Sequence, residues 1–319
     1  MKPIVTLTLS PAFDLHCQCP DFSAFHENLA TVTSFDAGGK GINVSRALTA
    51  NGIQTLAVVL LGSDNAAEFE RRLEEEKIPF HGIPMCGRIR ENITLHSKEN
   101  AETRISFPGF DANANALKQV EDAVLAYVGS APSFYLTLTG RIPNGIPMDD
   151  VKAFLLRMKQ RGAHLTVDSK SFSKEDLLEV LPHLIKPNEE ELPLYTDHAN
   201  DPILALTQLR DAGIESVLLT RGKDGALLAT KDGILEACIP TVTPLSTIGA
   251  GDSTIAGFLA AHQSGAPIEQ CLARAVAFGT AACLESGTKP PRPQNIAEIH
   301  ASVTVKKILS GITEKPLST

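Results

Sequence analysis

Short apolar runs alternate with longer amphipathic stretches along most of this chain, and this alternation is the feature that most limits its fold. The short runs predict buried strands, and the stretches with helical periodicity between them predict helices. The predicted strands are residues 4–9, 56–61, 134–138, 165–168, 217–220 and 226–229, and the predicted helices are residues 41–51, 65–76, 114–128, 148–161, 202–212, 253–263 and 268–286. Strands that alternate with helices form a mostly parallel sheet with crossover helices, so the sequence predicts an α/β fold.

The alternation is interrupted where short strands follow one another without a helix between them. These strands are residues 15–19, 30–34, 92–97 and 103–107, and the last two flank the polar residues 98–102, which predict a hairpin loop. Together they predict a small strand-only lid inserted into the α/β body. We expect residues 1–319 to form a single domain, with the lid strands within about residues 14–35 and 90–108.

The charge balance disfavours partners that need a basic surface. The chain has 29 Lys and Arg residues against 37 Asp and Glu residues, a net charge of −8, and no run of five basic residues. We therefore expect neither a nucleic acid nor a membrane as partner. Ser10 and Pro11 interrupt the N-terminal apolar stretch, which predicts a strand rather than a signal peptide. The six cysteines include no CxxC pair, which is typical of reduced thiols in a cytoplasmic protein.

A first candidate site is the segment Ser-Thr-Ile-Gly-Ala-Gly-Asp-Ser at residues 246–253, which leads into a predicted helix. Unpaired backbone N–H groups at a helix start, together with the helix dipole, can hold phosphate oxygens. Asp252 would lie beside such an anion and could accept a hydroxyl proton during phosphoryl transfer. The alternative is an ordinary helix N-cap, for which Asp and Ser are also favoured.

A second glycine-rich segment, Ala-Gly-Gly-Lys-Gly-Ile-Asn-Val at residues 37–44, also leads into a helix. It does not have the GxxxxGK[ST] spacing of a P-loop, and the chain has no GxGxxG segment for a dinucleotide. Its glycines would still let a polar ligand approach the backbone closely, with Lys40 and Asn43 nearby. The alternative is a tight strand-to-helix turn with no ligand.

Four segments in this order resemble the signatures of the pfkB/ribokinase family of carbohydrate kinases. They are Thr-Leu-Ser-Pro-Ala-Phe-Asp at residues 8–14, Gly-Gly-Lys-Gly-Ile-Asn-Val at 38–44, Lys-Pro-Asn-Glu-Glu-Glu-Leu at 186–192 and Thr-Ile-Gly-Ala-Gly-Asp-Ser at 247–253. The resemblance covers essentially the whole chain and is greatest to the 1-phosphofructokinase and tagatose-6-phosphate kinase branch. It implies a ribokinase-like three-layer α/β/α body with a small β lid, dependence on ATP and Mg²⁺, and phosphorylation of a sugar phosphate.

The resemblance also implies roles for individual residues. It makes Asp252 the catalytic base, with an anion hole formed by Gly249, Ala250 and Gly251. The implied sugar contacts are Asp14, Gly38, Gly39, Lys40 and Asn43, and the implied ATP contacts are Lys186, Asn188, Thr220, Gly222 and Gly225. Glu191 would be the acid that organises Mg²⁺ through water. Because Mg²⁺ gives up its water shell reluctantly, an indirect role suits Glu191. Lids of this type often pair, which implies a homodimer through the lid.

Arginines indicate that the sugar already carries a phosphate, because a guanidinium fork matches phosphate oxygens and a free sugar offers no such group. Arg90 and Arg104 flank the lid hairpin and resemble phosphate-binding arginines of this branch. Arg141 replaces a small polar residue of the family beside the substrate slot and would add a cation there. Arg221 replaces a common apolar residue of the nucleotide loop.

We therefore expect an ATP-dependent hexose-phosphate kinase that converts fructose 1-phosphate to fructose 1,6-bisphosphate. Residues 25–28 and Lys40 favour this substrate, whereas Thr94 and residues 104–109 point to fructose 6-phosphate or tagatose 6-phosphate. A free-sugar or nucleoside kinase of the same family is disfavoured by the arginine pair. A hypothesis from another class is a non-catalytic sugar-phosphate sensor, which the retained Asp252 and its anion hole disfavour.

Overall fold

The structure of the protein is a computed structural model that describes residues 1–98 and 102–310. Residues 99–101 of the predicted hairpin loop and residues 311–319 lie outside the described residues. The strands are β1 Ile4–Thr8, β2 Ala12–Gln18, β3 Thr31–Gly38, β4 Leu56–Gly62, β5 Phe80–Met85, β6 Arg90–His96, β7 Glu102–Ser106, β8 Phe134–Thr139, β9 Ala163–Asp168, β10 Leu184–Ile185, β11 Ser216–Thr220, β12 Ala226–Thr230, β13 Gly233–Cys238 and β14 Thr304–Ser310. The helices are α1 Lys40–Ala50, α2 Ala66–Glu75, α3 Ala116–Val128, α4 Met148–Gln160, α5 Lys174–Val180, α6 Pro202–Asp211, α7 Ala250–Gln263, α8 Ile268–Ala282 and α9 Pro293–Ser302, with short 3₁₀ turns at Leu192–Leu194 and Gly222–Asp224.

One large sheet forms the body of the molecule, in the strand order β14-β13-β12-β11-β10-β9-β8-β1-β4-β5. The strands from β11 to β5 in this order are parallel, and β12, β13 and β14 extend the sheet as antiparallel neighbours. The carboxyl ends of the parallel strands therefore meet at one edge, which is where open α/β sheets bind their ligands.

Helices cover both faces of this sheet. Alternate residues of β1 show the division, because Leu7 packs in the core with α3, α4 and α6, whereas Ile4 packs with α1, α7, α8 and α9. The helix α2 lies on the same face as α1, where Phe69 and Leu73 meet Val59 of β4. This three-layer α/β/α arrangement confirms the ribokinase-like fold class. Within the described ranges, no helix is both long and apolar enough to span a membrane.

A second, small sheet has the strand order β3-β2-β6-β7 and contains the predicted lid strands. In its register Asp14 is paired with Asp36 on one side and with Asn92 on the other, and Thr94 is paired with Arg104. Successive side chains of a strand point to opposite faces, so these residues share one face of the small sheet. The assignment of residues 1–319 to a single domain stays a prediction.

Several elements were not predicted from the sequence. They are β5, β10, β13, β14, α5 and α9. β10 has only two residues, and β14 carries two lysines at the sheet edge, so neither shows the apolar run typical of a buried strand. α8 ends at Ala282 rather than at the predicted residue 286, because a chain of turns follows it. α7 begins at Ala250, three residues earlier than predicted.

Candidate active site

Asp252 lies in the first turn of α7, at the edge where the parallel strands end. Gly249 precedes this helix with a φ of 77°, a left-handed conformation that glycine adopts without strain. The N–H groups of Gly251 and Asp252 have no hydrogen-bond partner among the described residues, and that of Ala250 donates to the Thr247 carbonyl over 3.3 Å. The start of α7 therefore presents free donors and a positive dipole end, as an anion hole requires.

The carboxylate of Asp252 is almost completely buried, with 6% of the residue exposed. Its Oδ2 accepts a hydrogen bond of 2.8 Å from Nδ2 of Asn43 in α1. Burial raises the pKa of Asp252 to about 6; the positive charges of Lys40 and Lys186 and the Asn43 hydrogen bond act against burial, while Asp168 adds to it. A carboxylate with this pKa is ionised in most molecules at neutral pH and is still basic enough to take a proton.

Two lysines converge on a second buried carboxylate, Asp168, at the end of β9. Lys40 Nζ lies 3.1 Å and Lys186 Nζ 3.7 Å from Asp168 Oδ2. Burial lowers the pKa of Lys40, but the carboxylates of Asp168 and Asp252 outweigh burial and raise it. Lys40 is therefore charged at neutral pH. Asp168 is not among the site residues expected from the sequence, although its place at the carboxyl end of a predicted strand is a signal for one.

Gly251 brings the start of α7 against Lys186. A Cβ atom at this position would lie 3.1 Å from Lys186 Nζ, closer than most Cβ contacts in proteins. The ammonium group therefore lies beside the free N–H donors of the helix. Together they can neutralise the oxygens of a phosphoryl group in transfer.

A cavity of about 570 Å³ opens on the other side of this helix start. It brings together the predicted nucleotide contacts, and its lining residues include Lys186, Asn188, Thr220, Gly222, Gly225, Ala250 and Gly251. The predictions did not include its apolar wall, which is formed by Ile239, Pro240, Val242, Pro244 and Val276. Apolar walls with a few polar groups are typical of sites for ring systems such as a nucleobase. Arg221 instead donates to Glu236 Oε1 at 2.7 Å and does not line the cavity.

Asn188 and Glu191 are held to each other by two hydrogen bonds. The Glu191 N–H donates to Asn188 Oδ1 at 2.8 Å, and the Asn188 N–H donates to Glu191 Oε2 at 3.2 Å. The Glu191 side chain is 7% exposed, and its Oε1 lies 3.6 Å from Lys170 Nζ. No group of three or more His, Cys, Asp or Glu residues in the described chain is arranged to hold a metal ion. These contacts fit a metal that keeps most of its water and is held chiefly by phosphate oxygens.

The small sheet brings its polar face toward the glycine-rich start of α1. Asn92 Nδ2 donates to Asp14 Oδ1 at 2.9 Å. A Cβ atom at Gly38 would lie 2.0 Å from Asp14 Oδ2, so only glycine leaves room for this carboxylate. Gly39 has a φ of 135° and lies against Thr8, which places the predicted sugar contacts Asp14, Gly38 and Gly39 together.

Three arginines lie close enough to influence one another beside Asp14. Burial and the charges of Arg141 and Arg104 lower the pKa of Arg90, while Asp14 raises it. The Nε atom of Arg90 is buried and has no hydrogen-bond partner in the described structure. Arg141 follows Gly140, whose Cβ position would be 3.7 Å from the Cβ of Lys40. Such a cluster of cations with a spare donor is suited to a phosphate dianion.

Comparison with known proteins identifies the family. The sequence profile of the pfkB family of carbohydrate kinases matches residues 13–295. The chain is 30% identical over 262 residues to 1-phosphofructokinase of Escherichia coli K12, covering 81% of this chain and 83% of that protein. It is 31% identical over 312 residues to 1-phosphofructokinase of Xanthomonas campestris, covering 94% and 97% of the two chains.

Among solved structures, phosphofructokinase-2 from Escherichia coli matches with a TM-score of 0.85 and 27% identity, covering 95% of this chain and 99% of that one. The profile match spans the glycine-rich start of α1, the arginines beside Asp14 and Asp252 at the start of α7. The chain is therefore a sugar kinase, and it belongs to the pfkB family of carbohydrate kinases.

Proposed function

We propose that this protein is an ATP-dependent hexose-phosphate kinase whose preferred substrate is fructose 1-phosphate and whose product is fructose 1,6-bisphosphate. The observation that carries the proposal is the position of Asp252, at the helix start that lines a nucleotide-sized cavity. Its neighbour Lys40 lies against Gly140, which precedes one of the three clustered arginines. The names of the relatives from Escherichia coli and Xanthomonas campestris support the same substrate.

In this mechanism Asp252 is the proton acceptor. Its Oδ2 is occupied by Asn43, and its Oδ1 has no hydrogen bond within the described residues, so Oδ1 is available to the attacking hydroxyl. Burial keeps this carboxylate basic, so it can take the proton when the oxygen attacks phosphorus. The N–H groups of Gly251 and Asp252 and the ammonium of Lys186 then stabilise the negative charge on the transferred group.

ATP and Mg²⁺ are assigned from the nucleotide cavity and its neighbours. Asn188, Thr220, Gly222 and Gly225 would contact the nucleotide, and Glu191 would hold a water ligand of the metal. When bound, Mg²⁺ offsets phosphate charge. The two hydrogen bonds between Asn188 and the buried Glu191 keep the carboxylate in one orientation beside the cavity.

Arg90, Arg104 and Arg141 would bind the phosphate that the sugar already carries. Their mutual repulsion is relieved by a dianion, so a sugar phosphate binds more favourably than a free sugar. Asp14, supported by Asn92 and Gly38, would accept hydrogen bonds from the sugar hydroxyls, and Lys40 and Asn43 would complete the pocket.

A coupled assay of ADP release over phosphorylated and free hexoses tests the proposal. We expect kcat/KM for fructose 1-phosphate to exceed that for fructose 6-phosphate and tagatose 6-phosphate by at least about tenfold, which equals about 1.4 kcal/mol of transition-state discrimination. Thr94 and residues 104–109 favour fructose 6-phosphate as the second candidate. A reversed ratio would support that candidate and leave the base and the nucleotide site in place.

We also propose that the protein acts in the cytoplasm as a homodimer joined through the small sheet. Apolar side chains are exposed on and beside this sheet, including Val32 (56%), Ile105 (42%) and Phe107 (47%). Burying such residues and the open edges of β3 and β7 would favour association. Sedimentation should show a dimer that Ile105→Glu dissociates, whereas Tyr127→Glu on α3 should not. A monomeric wild-type protein would contradict this proposal.

A further inference from the structure

A chain of hydrogen bonds runs behind Asp252, on the side away from the substrate. Arg46 donates to Asn43 Oδ1 at 2.5 Å through Nη1 and to the Ala37 carbonyl at 2.6 Å through Nη2. Its Nη2 also donates to Glu76 Oε1 at 3.1 Å, and its Nε contacts the second oxygen of the same carboxylate. Asn43 in turn donates to Asp252, as described above.

In this series of hydrogen bonds, each side chain determines the orientation of the next. The Arg46 side chain is 4% exposed, and both its Nη atoms and its Nε have acceptors, so the guanidinium is held in one place. Because a guanidinium is only a donor, it must face the oxygen of the Asn43 amide. The NH₂ group of the amide is thereby left to face Asp252.

We propose that Arg46, anchored by Glu76, is a positioning residue for the catalytic base, because it locks the Asn43 amide in the orientation that donates to Asp252. Only the expected effect on kcat rests on the proposed function; the expected effect on the pKa of Asp252 does not. Without Arg46, the amide of Asn43 can rotate and present its oxygen to the carboxylate of Asp252, which would repel the ionised form.

The consequence is a change in the basicity of Asp252. The groups that face it are Lys40 and Asn43 from α1, Asp168 from the end of β9 and Lys186 after β10. Of these, Asn43 is the one that Arg46 holds. Because the Asn43 hydrogen bond lowers the pKa of Asp252, its loss raises that pKa and moves the onset of activity to higher pH.

A second cavity of about 570 Å³ gives a route for chemical rescue. Its lining includes Arg46 and Glu76 together with Thr49, Arg72 and Lys289, and it lies apart from the nucleotide cavity. Truncation of Arg46 would enlarge this cavity toward Asn43. Free guanidinium, at concentrations too low to unfold the protein, can then enter and donate to the Asn43 amide.

The test compares Arg46→Ala, Glu76→Gln and a control, Lys152→Met. Lys152 is a comparable cation with an 11% exposed side chain, and it pairs with Asp149, Asp176 and Glu179 on the helices α4 and α5. The first measurement is the pH profile of kcat and KM. The second is the pKa of Asp252 from NMR titration of ¹³C-labelled aspartate, with Asp252→Asn to assign the resonance.

We expect Arg46→Ala to raise the pKa of Asp252 by about half a pH unit or more and to leave the KM for ATP unchanged. At neutral pH kcat should fall by up to about tenfold, chiefly because the carboxylate loses the hydrogen bond that orients it and only in small part because less of it is ionised. Guanidinium should reverse the pKa change. Glu76→Gln should change the pKa in the same direction by less, and it provides the test if Arg46→Ala does not fold. Lys152→Met should lower the melting temperature without moving the pKa.

The inference is overturned if the pKa of Asp252 is the same in the wild type, in Arg46→Ala and in Glu76→Gln. The NMR titration needs no substrate, so it tests Arg46 even if the wild type phosphorylates no sugar phosphate. That last result would contradict the proposed function alone.

Discussion

A buried carboxylate such as Asp252 costs the protein stability in return for basicity. Its pKa is raised from an ordinary 3.8 to about 6, so the folded protein binds this proton more tightly than the unfolded chain does. Stability from this group is therefore present at low pH and is lost as the pH rises through 6. At neutral pH the ionised form costs about 3 kcal/mol relative to an exposed carboxylate.

Asp252→Asn should therefore separate activity from stability. The amide keeps the shape of the side chain and can accept the Asn43 hydrogen bond, but it cannot accept a proton. We expect kcat to fall by about 10²–10⁴-fold with nearly unchanged binding of ATP and sugar, and the free energy of unfolding to rise by about 1–3 kcal/mol. Steady-state kinetics and calorimetry measure both. Retention of more than about a third of the wild-type kcat would remove Asp252 from the role of base.

The arginines beside Asp14 should affect the sugar phosphate and not the nucleotide. Replacing Arg90 or Arg104 by Ala removes hydrogen bonds to a charged group, so we expect sugar-phosphate binding to weaken by about 1.5–3 kcal/mol. The affinity for ATP should stay unchanged, because neither residue lines the nucleotide cavity. Calorimetric titration of each ligand checks this. Equal weakening of both ligands would indicate that the small sheet has lost its structure.

Glu191 should affect the metal requirement. Glu191→Gln keeps an oxygen that can accept the Asn188 N–H but removes the negative charge, so water ligands of Mg²⁺ are held less strongly. We expect the Mg²⁺ concentration that gives half-maximal rate to increase, with little change in the KM for the sugar phosphate. A titration curve that coincides with that of the wild type would exclude Glu191 from this role.

At the scale of elements, the glycines at the start of α1 allow close packing against β1. A Cβ atom at Gly41 would lie 2.4 Å from the carbonyl oxygen of Leu7, so the helix meets the backbone of β1 directly. The close approach keeps Asn43, two residues along the helix, within hydrogen-bond distance of Asp252. The structure thus contains the tight turn, and the role of this segment as a ligand site stays a prediction.

Gly41→Ala should move α1 away from β1. We expect a loss of about 1–3 kcal/mol in the free energy of unfolding, because the backbone oxygen of Leu7 cannot move as a side chain can. Gly109→Ala is the matched control, since its Cβ would meet only Arg90 carbons at 3.5 Å or more. Gly109→Ala should change the free energy of unfolding by no more than about 0.5 kcal/mol. Denaturant unfolding of the two variants measures the difference, and equal stabilities would show that α1 tolerates the added methyl group.

At the scale of the whole molecule, different titratable groups gather at the carboxyl ends and at the amino ends of the parallel strands. Opposite the active site, at the amino ends of the parallel strands, His164, His183 and His262 cluster with Lys2 and Tyr135. Lys2 Nζ lies 2.9 Å from His164 Nε2, and the Tyr135 hydroxyl lies 2.8 Å from His262 Nδ1. His183 Nδ1 accepts the N–H of Leu165 at 3.1 Å. The charge of Lys2 and the neighbouring histidine rings disfavour protonation of His164 and His183.

This cluster should make the protein sensitive to acid. Burial, with the nearby positive charges, lowers the pKa of His164 and of His183 from 6.5 to about 4. Between these values the unfolded chain binds protons that the folded protein excludes, so stability is present above pH 6.5 and is lost as the pH falls toward 4. We expect the melting temperature to fall as the buffer is changed from about pH 7 to about pH 5.

A variant with His164→Gln and His183→Gln should show a smaller fall in melting temperature over the same pH range, because neither side chain takes up a proton in the unfolded chain. Comparing the two proteins at each pH isolates the cluster from the other titrating groups. If both lost the same number of degrees, the histidines would not be the origin of the acid sensitivity.

The sequence by itself determined the α/β class, most of the longer helices and strands, the small sheet and the identity of the motifs. These features depend on local periodicity and on glycines that punctuate it, and such signals lie within about ten residues of one another. The short β10 and the lysine-containing edge strand β14 lack that signal, because neighbouring strands stabilise them.

Only the tertiary structure decided how the site works. Lys40 and Asp168 are 128 positions apart, and Asn43 and Asp252 are 209 positions apart, so no local pattern indicates either contact. The raised pKa of Asp252, the grouping of three arginines and the histidine cluster arise from residues that are separated in the sequence. The Arg46 anchor combines a local contact to Asn43, three residues earlier, with an ion pair to Glu76, 30 residues later. Burial and the field of neighbouring charges determine the basicity of a carboxylate, and both exist only once the chain has folded.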